Sequence, residues 1–194
     1  MQTSQLPIVA NPAIHADELY SADAAELQNF FDLNSEYFLI CHGEPARPDE
    51  AATELELKIP DGLACNRQWF IGFREQGVGL IAVEHIIQDL FIEGVWHIGL
   101  LILEGCRHGK GDAQLIYAAT EHWAVTQGAR WLRIGVVTDN LRAKRFWESQ
   151  GFAKVCERRG VAMGLKKNTI ITMIKTLSGT TIPQYLELVE RDRT

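Results

Sequence analysis

The stretch 96–123, WHIGLLILEGCRHGKGDAQLIYAATEHW, reads as a strand, a short glycine-bearing loop and a helix. The apolar run Ile98–Leu103 is too short for a free-standing helix and gives way to a loop, so it is expected to be a strand. Leu115, Ala119 and Trp123 recur at four-residue spacing with Ile116 beside them, and Gln127-Gly128 supplies a stop, which predicts a helix. The backbone N–H groups of the loop and of the helix's first turn then converge on one point, which favours an anion. Gly109 and Gly111 carry no Cβ and let a ligand approach the backbone closely.

Residues 131–152, WLRIGVVTDNLRAKRFWESQGF, repeat the plan. Leu132, Ile134 and Val136 fall on one face of a strand, Thr138-Asp139-Asn140 supplies a cap, and a helix closes at Gly151 before Phe152 opens another strand.

Together the two segments resemble the GNAT N-acetyltransferase superfamily. His108-Gly-Lys-Gly111-Asp-Ala113 is similar to that family's Q/R-x-x-G-x-G/A acyl-CoA loop. Asn140-x-x-Ala143-x-x-x-Trp147-x-x-x-Gly151-Phe152 is similar to its N-x-x-A-x-x-x-Y-x-x-x-G-F segment. The order and separation also fit, and the match covers the second half of the chain. Two positions depart from the pattern: His108 stands where Gln or Arg is usual, and Trp147 where the family often has an acid tyrosine. The first half resembles a bacterial branch in which an aromatic helix (here Glu36-Tyr37-Phe38) and a Pro-Asp-Glu-Ala helix (here Pro48–Ala51) precede the sheet.

Composition agrees with one folded domain. At 194 residues, 46% hydrophobic and 23% charged, the chain is long enough for a substantial core and unlike a disordered one. Its net charge of −6 argues against nucleic acid as the main partner and suits a cationic amine. Cys41, Cys65, Cys106 and Cys156 have no paired spacing, and Met1-Gln-Thr-Ser-Gln lacks the basic and apolar regions of a secretory start. Free thiols in the cytoplasm are therefore expected. No apolar run approaches the ~20 residues of a membrane span. No His/Cys cluster has metal spacing, so no metal is expected.

Along the chain, Leu6–Ala10 or Ile14–Leu19 could supply a first strand. Ser21 can cap a helix carrying Ala25, Leu27, Phe30 and Phe31, and Asn34 or Ser35 can cap another through Cys41. A Gly/Pro loop over 42–48 leads to a helix over 49–58, and Ile59–Gly62 turns the chain. Strands follow at 68–74 and 80–87, joined around Gln76-Gly77, then at 95–104, 131–138, 152–158 and 169–177, with a helix over 182–191. This order gives an α/β (α+β) domain spanning 1–194 with one mixed sheet. The resemblance implies the GNAT fold: a mostly antiparallel sheet flanked by helices, whose central strands splay to admit acetyl-CoA.

What the resemblance implies for the site is specific. The backbone around Ile102 and Leu103 would hold the thioester carbonyl and pantetheine, and the N–H groups of His108, Gly109, Lys110, Gly111, Asp112 and Ala113 the pyrophosphate. Arg107 and Lys110 would add charge there or be solvated surface residues. Asn140, Ala143 and Trp147 would line the pantetheine arm, although Asn140 can equally be a plain helix cap. An indole cannot act as a general acid, so the leaving thiolate would take its proton from water, the intermediate's ammonium or another group such as Tyr117.

An alkylammonium has a pKa near ~10.4, so acyl transfer to an amine needs a route for its proton. Glu84 interrupts the apolar run Leu80–Ile87 and is either the general base or a paired structural carboxylate. By strand alternation His97 shares a face with Gly99, Leu101 and Leu103, and it either relays a proton or is a satisfied core residue. Tyr37 reads as amphipathic packing. The function expected is direct transfer of an acetyl group from acetyl-CoA to a primary amine in a ternary complex, with a homodimer left open. A non-catalytic acyl-CoA-binding regulatory module is the alternative.

Overall fold

Among the described residues the strand-forming runs pair into one seven-stranded sheet, ordered β1-β2-β3-β4-β5-β7-β6. The computed structural model describes residues 6–59 and 63–193, so the turn expected at 59–62 lies mostly outside the described residues. The strands are β1 (Ile14–Glu18), β2 (Arg67–Glu75), β3 (Gly79–Gln88), β4 (Val95–Leu103), β5 (Trp131–Val137), β6 (Ala153–Met163) and β7 (Lys166–Thr176). The helices are α1 (Ala24–Leu33), α2 (Ser35–Cys41), α3 (Glu50–Leu55), α4 (Asp112–Thr126), α5 (Leu141–Ser149) and α6 (Ile182–Leu188). The first strand is thus the second of the two expected segments, and the third helix is shorter than its composition suggested.

Each face of the sheet buries a different set of side chains. On one, Trp69, Ile71, Phe73, Ile86, Trp96, Ile98, Leu132 and Ile134 pack with Ile116, Tyr117 and Trp123 of α4 and Trp147 of α5. On the other, Phe70, Val83, Leu100 and Ile102 meet Leu27, Phe30, Phe31 and Phe38 of α1 and α2, while Val95, Trp131 and Ile174 meet Tyr185 of α6. The chain's largest apolar residues are therefore removed from water in two layers, the main drive for folding.

Two features of β4 shape the centre. His85 pairs with Leu100 but its neighbour Ile86 pairs with Ile98, so Gly99 is an extra residue, a β-bulge. The bulge reverses the alternation. Ile98 faces α4, whereas Leu100 and Ile102 face α1 and α2, and Leu101 and Leu103 return to the α4 side. His97 consequently lies on the α1/α2/α6 face and does not share a face with Leu101 and Leu103, which corrects the alternation expected for the strand.

The second feature is a fork. β4 and β5 are parallel but pair only from Val95–Trp131 to Ile98–Ile134. β4 runs on to Leu103 against β3, and β5 to Val137 against β7, so the two strands part in mid-sheet.

The far hairpin closes over one side of this fork. From the β6–β7 hairpin the Leu165 N–H reaches His42 O at 2.8 Å, Lys166 Nζ reaches Ile40 O at 2.8 Å, and Asn168 Nδ2 reaches Cys41 O at 2.7 Å. These donors satisfy carbonyls at the end of α2 that have no partner within the helix, and they hold α2 across the fork.

Candidate active site

Beyond the fork the two halves leave a cleft of about 370 Å³. Its floor is the end of β4 (Leu101, Ile102, Leu103), and one wall is the α1–α2 junction from Leu33 to Tyr37 with Ile40. The other wall is α5 with its cap, through Asn140, Arg142, Ala143, Phe146 and Trp147. The loop of Gly105, Arg107, His108, Gly109, Gly111 and Ala113 closes the end.

The loop's backbone is built to leave donors free. Gly109 and Gly111 have φ of +75° and +93°, a region that disfavours side chains, and a Cβ at either would meet nothing within 4 Å. The His108 and Lys110 N–H groups turn inward to Gly105 O and Arg107 O, both at 3.3 Å. Those of Gly109, Gly111, Asp112 and Ala113 donate to no group among the described residues. Four N–H groups at and just before the start of a 15-residue helix thus lack a partner among the described residues, with the positive end of the helix dipole behind them. That arrangement fits a diphosphate.

The side chains around the loop stabilise it rather than extend it. The Arg107 guanidinium is bound by Glu75, by Glu104 at 3.1 Å and by Asp112 at 3.2 Å. Burial opposes its charge, but the three carboxylates together outweigh that and hold its pKa above the usual arginine range. Its charge is compensated within the chain, so it adds little to an anion site. Asp112 contributes its backbone to the loop and its carboxylate to this clamp. Lys110 is exposed and not among the cleft residues. The His108 ring bonds back to Leu103 O at 3.1 Å and ties the loop to the floor of the fork.

Further in, the Glu104 N–H bonds to Ile81 O on β3. Alternation along the strand then turns the Leu103 and Leu101 backbone groups toward the fork, where an extended chain could hydrogen-bond those of Leu101 and the Leu103 N–H, the Leu103 carbonyl already accepting from His108. Asn140 caps α5, its Oδ1 accepting from the Ala143 N–H at 3.1 Å, and it lines the cleft as well. Trp147 packs edge-on against Tyr117 (5.4 Å), Phe152 (5.2 Å) and Phe146 (4.9 Å).

Sequence reasoning missed Asn34, which it treated as a cap for α2. Its buried side chain donates to Phe30 O at 2.8 Å and accepts from the Gly105 N–H at 2.9 Å, so it pins the α1–α2 junction to the loop after β4. A 71-residue separation left no local signal for that second bond.

Two expected acid–base groups lie elsewhere. Glu84 is fully buried beneath α4, bonded by the Thr120 hydroxyl at 2.7 Å, with its second oxygen unpartnered among the described residues. Burial pushes its carboxyl up to about 8 against the lowering effect of Thr120. It does not line the cleft, because it sits on β3, one strand away from the fork. Of the two readings of Glu84, general base or structural carboxylate, this buried position favours the second. Tyr117 is likewise buried behind Trp147 and absent from the cleft wall; burial raises its hydroxyl pKa.

His97 lies beside the fork on the opposite face. Its Nδ1 is 3.0 Å from Arg133 O and 3.4 Å from Arg133 Nη1; the shorter contact, to a carbonyl that can only accept, assigns the proton to Nδ1 and leaves Nε2 as an acceptor. Burial and the Arg133 charge push its pKa down to about 3, and burial pushes that of His85 to about 4, so both rings are neutral. The Arg133 guanidinium is fixed by the fully buried Asp192 at 2.7 and 3.1 Å. Gly99 of β4 and Gly135 of β5, the first residues past the paired segment, are solvent-exposed although they lie in the middle of the sheet. The fork therefore opens on this face too.

This architecture is shared with solved bacterial acetyltransferases. An acetyltransferase from Thermus thermophilus superposes with a TM-score of 0.67 at 20% identity, over 85% of this chain and 97% of that one. A spermidine N-acetyltransferase from Vibrio cholerae, in complex with CoA and spermine, gives 0.64 at 17% identity, over 86% and 96% of the two chains. No curated protein matches the sequence. The model of the acetyltransferase (GNAT) family matches residues 27–152, and the chain belongs to that family. It is an N-acetyltransferase, using an acyl-CoA donor and an acceptor substrate.

Proposed function

We propose that the protein moves the acetyl group of acetyl-CoA directly to a primary amine, the two substrates meeting in the β4–β5 fork from opposite faces of one domain. The observation that carries this is the fork itself. It leads on one side to the free N–H groups of the 109–113 loop, and on the other to the exposed backbone of Gly99 and Gly135 beside His97.

In this reading the diphosphate is held by the N–H groups of Gly109, Gly111, Asp112 and Ala113, and pantetheine runs along Leu101–Leu103 against Ala143 and Trp147. The amine enters over Gly99 and Gly135 with an N–H directed to His97 Nε2. Its nitrogen attacks the thioester carbon; a C–N bond forms and the C–S bond breaks. His97 orients the nucleophile through a hydrogen bond but is too weak a base to keep its proton, which passes to water. CoA thiolate, whose pKa is near that of a Cys thiol at ~8.5, leaves without a tyrosine acid and takes its proton from solvent. Cys41, Cys65, Cys106 and Cys156 are all free, which suits a reducing cytoplasm.

Two measurements test the scheme. Calorimetry should show that Gly111→Val severely weakens CoA binding, since a β-branched side chain resists positive φ and blocks the backbone; unchanged affinity removes the loop assignment. Initial rates with an amine panel, including the spermidine named for the structural neighbour, should give intersecting double-reciprocal lines. Parallel lines, or labelled acetyl retained on the protein without amine, would rule out direct transfer.

A further inference from the structure

One ion pair ties the two walls of the cleft together. Arg142 Nη2, at the start of α5, lies 2.6 Å from Glu36 Oε2, at the start of α2. Both residues line the cleft, and both side chains are at least half exposed. Glu36 is held ionised. Its hydrogen bond with Arg142 lowers its pKa most, and His108 of the glycine loop also contributes. A carboxylate thus lines the same cleft as a loop whose free N–H groups favour an anion.

Of the other two cations of that loop, one is committed to carboxylates and the other does not line the cleft. Arg107 is enclosed by three carboxylates, and Lys110 lies outside the cleft. Arg142 is different, because its partner among the described residues is a single half-exposed carboxylate, a weak and exchangeable contact in water. A guanidinium matches two phosphate oxygens at once, and a diphosphate offers more charge than Glu36 does.

We propose that Arg142 is a diphosphate-binding residue of the acyl-CoA cleft, masked in the free protein by Glu36 and transferred from that carboxylate to the diphosphate when the donor binds. The proposal rests on acyl-CoA occupying the cleft. Glu36 acts as an internal competitor: it keeps Arg142 at the cleft mouth and opposes ligand by the attraction it must give up. Removing the carboxylate and removing the cation should then have opposite effects on affinity, whereas a pair that only braces the walls would respond alike to either loss.

Calorimetric titration of CoA into the wild type, Glu36→Gln, Arg142→Gln and the double variant tests this. Glu36→Gln should bind about 3-fold tighter, Arg142→Gln about 10-fold weaker, and the double variant like Arg142→Gln, on the usual worth of an exposed ion pair and of a charge-assisted hydrogen bond. Pantetheine, which lacks the diphosphate, should bind all four proteins equally. Weakening of CoA binding by both single substitutions would overturn the exchange and leave a structural brace. An Arg142→Gln effect that disappears with 3′-dephospho-CoA would move the contact to the 3′-phosphate and overturn the diphosphate assignment. Wild-type protein that binds no CoA would instead overturn the acyl-CoA reading, and the exchange with it.

Discussion

Replacing Glu84 by Gln should remove a pH dependence of stability that this one carboxyl imposes. The side chain is fully buried with a single hydrogen bond, from Thr120, and burial pushes its pKa from 4.5 to about 8. Below about pH 4.5 the group is protonated in both folded and unfolded chains and contributes nothing to the difference. Between pH 4.5 and 8 only the unfolded chain ionises, so the folded state binds more protons and stability falls as pH rises. Above pH 8 both forms are ionised and the loss is complete. The slope is at most ~1.36 kcal/mol per pH unit, which gives a loss of about 2–3 kcal/mol between about pH 5 and 7. The glutamine amide of the variant would present its carbonyl to Thr120 and has no proton to lose. Urea denaturation at several values between about pH 5 and 8 should show the variant gaining on the wild type by that amount toward pH 7, while kcat/KM at neutral pH stays within a few-fold. Equal pH slopes for the two proteins would refute the assignment of a neutral buried carboxyl. A loss of kcat/KM by ~100-fold or more would return Glu84 to the role of general base.

Three further outcomes are expected. Trp147→Phe should retain most of kcat, since the indole packs against Tyr117 and Phe152 and cannot donate as an acid, whereas Trp147→Ala should lose CoA affinity; steady-state kinetics of both variants check this, and a Phe variant as inactive as a catalytic knockout would contradict it. His97→Leu should raise KM for the amine by about 10-fold, the worth of a lost hydrogen bond, with CoA affinity unchanged in calorimetry. With the His97 and His85 pKa values pushed down to about 3 and 4, the wild-type pH–rate profile should rise toward the amine's own pKa, without a step from either imidazole between about pH 6 and 8. Asn34→Ala should cost about 1–3 kcal/mol in urea denaturation, because it strips partners from Phe30 O and the Gly105 N–H at a buried position.

The sequence alone determined what short-range chemistry encodes. Glycines at 109 and 111 followed by an amphipathic helix specify positive φ and a row of N–H groups at a helix start, and both follow from a few adjacent residues. The strand–loop–helix plan of 96–123 and 131–152 was legible for the same reason, since apolar period and capping residues are local signals. The sides of the strands were not. Alternation holds only while pairing is regular, and one unpaired residue at Gly99 moves every later side chain of β4 to the other face, so His97 parts from Leu101 and Leu103. Nor could spacing show that Glu84 points under α4 toward Thr120, 36 residues away, or that Arg107 is enclosed by Glu75, Glu104 and Asp112. The Glu36–Arg142 pair joins residues 106 apart. Such contacts are decided when the sheet closes and the helices settle on its two faces, because burial and Coulomb attraction depend on distance in space and not along the chain.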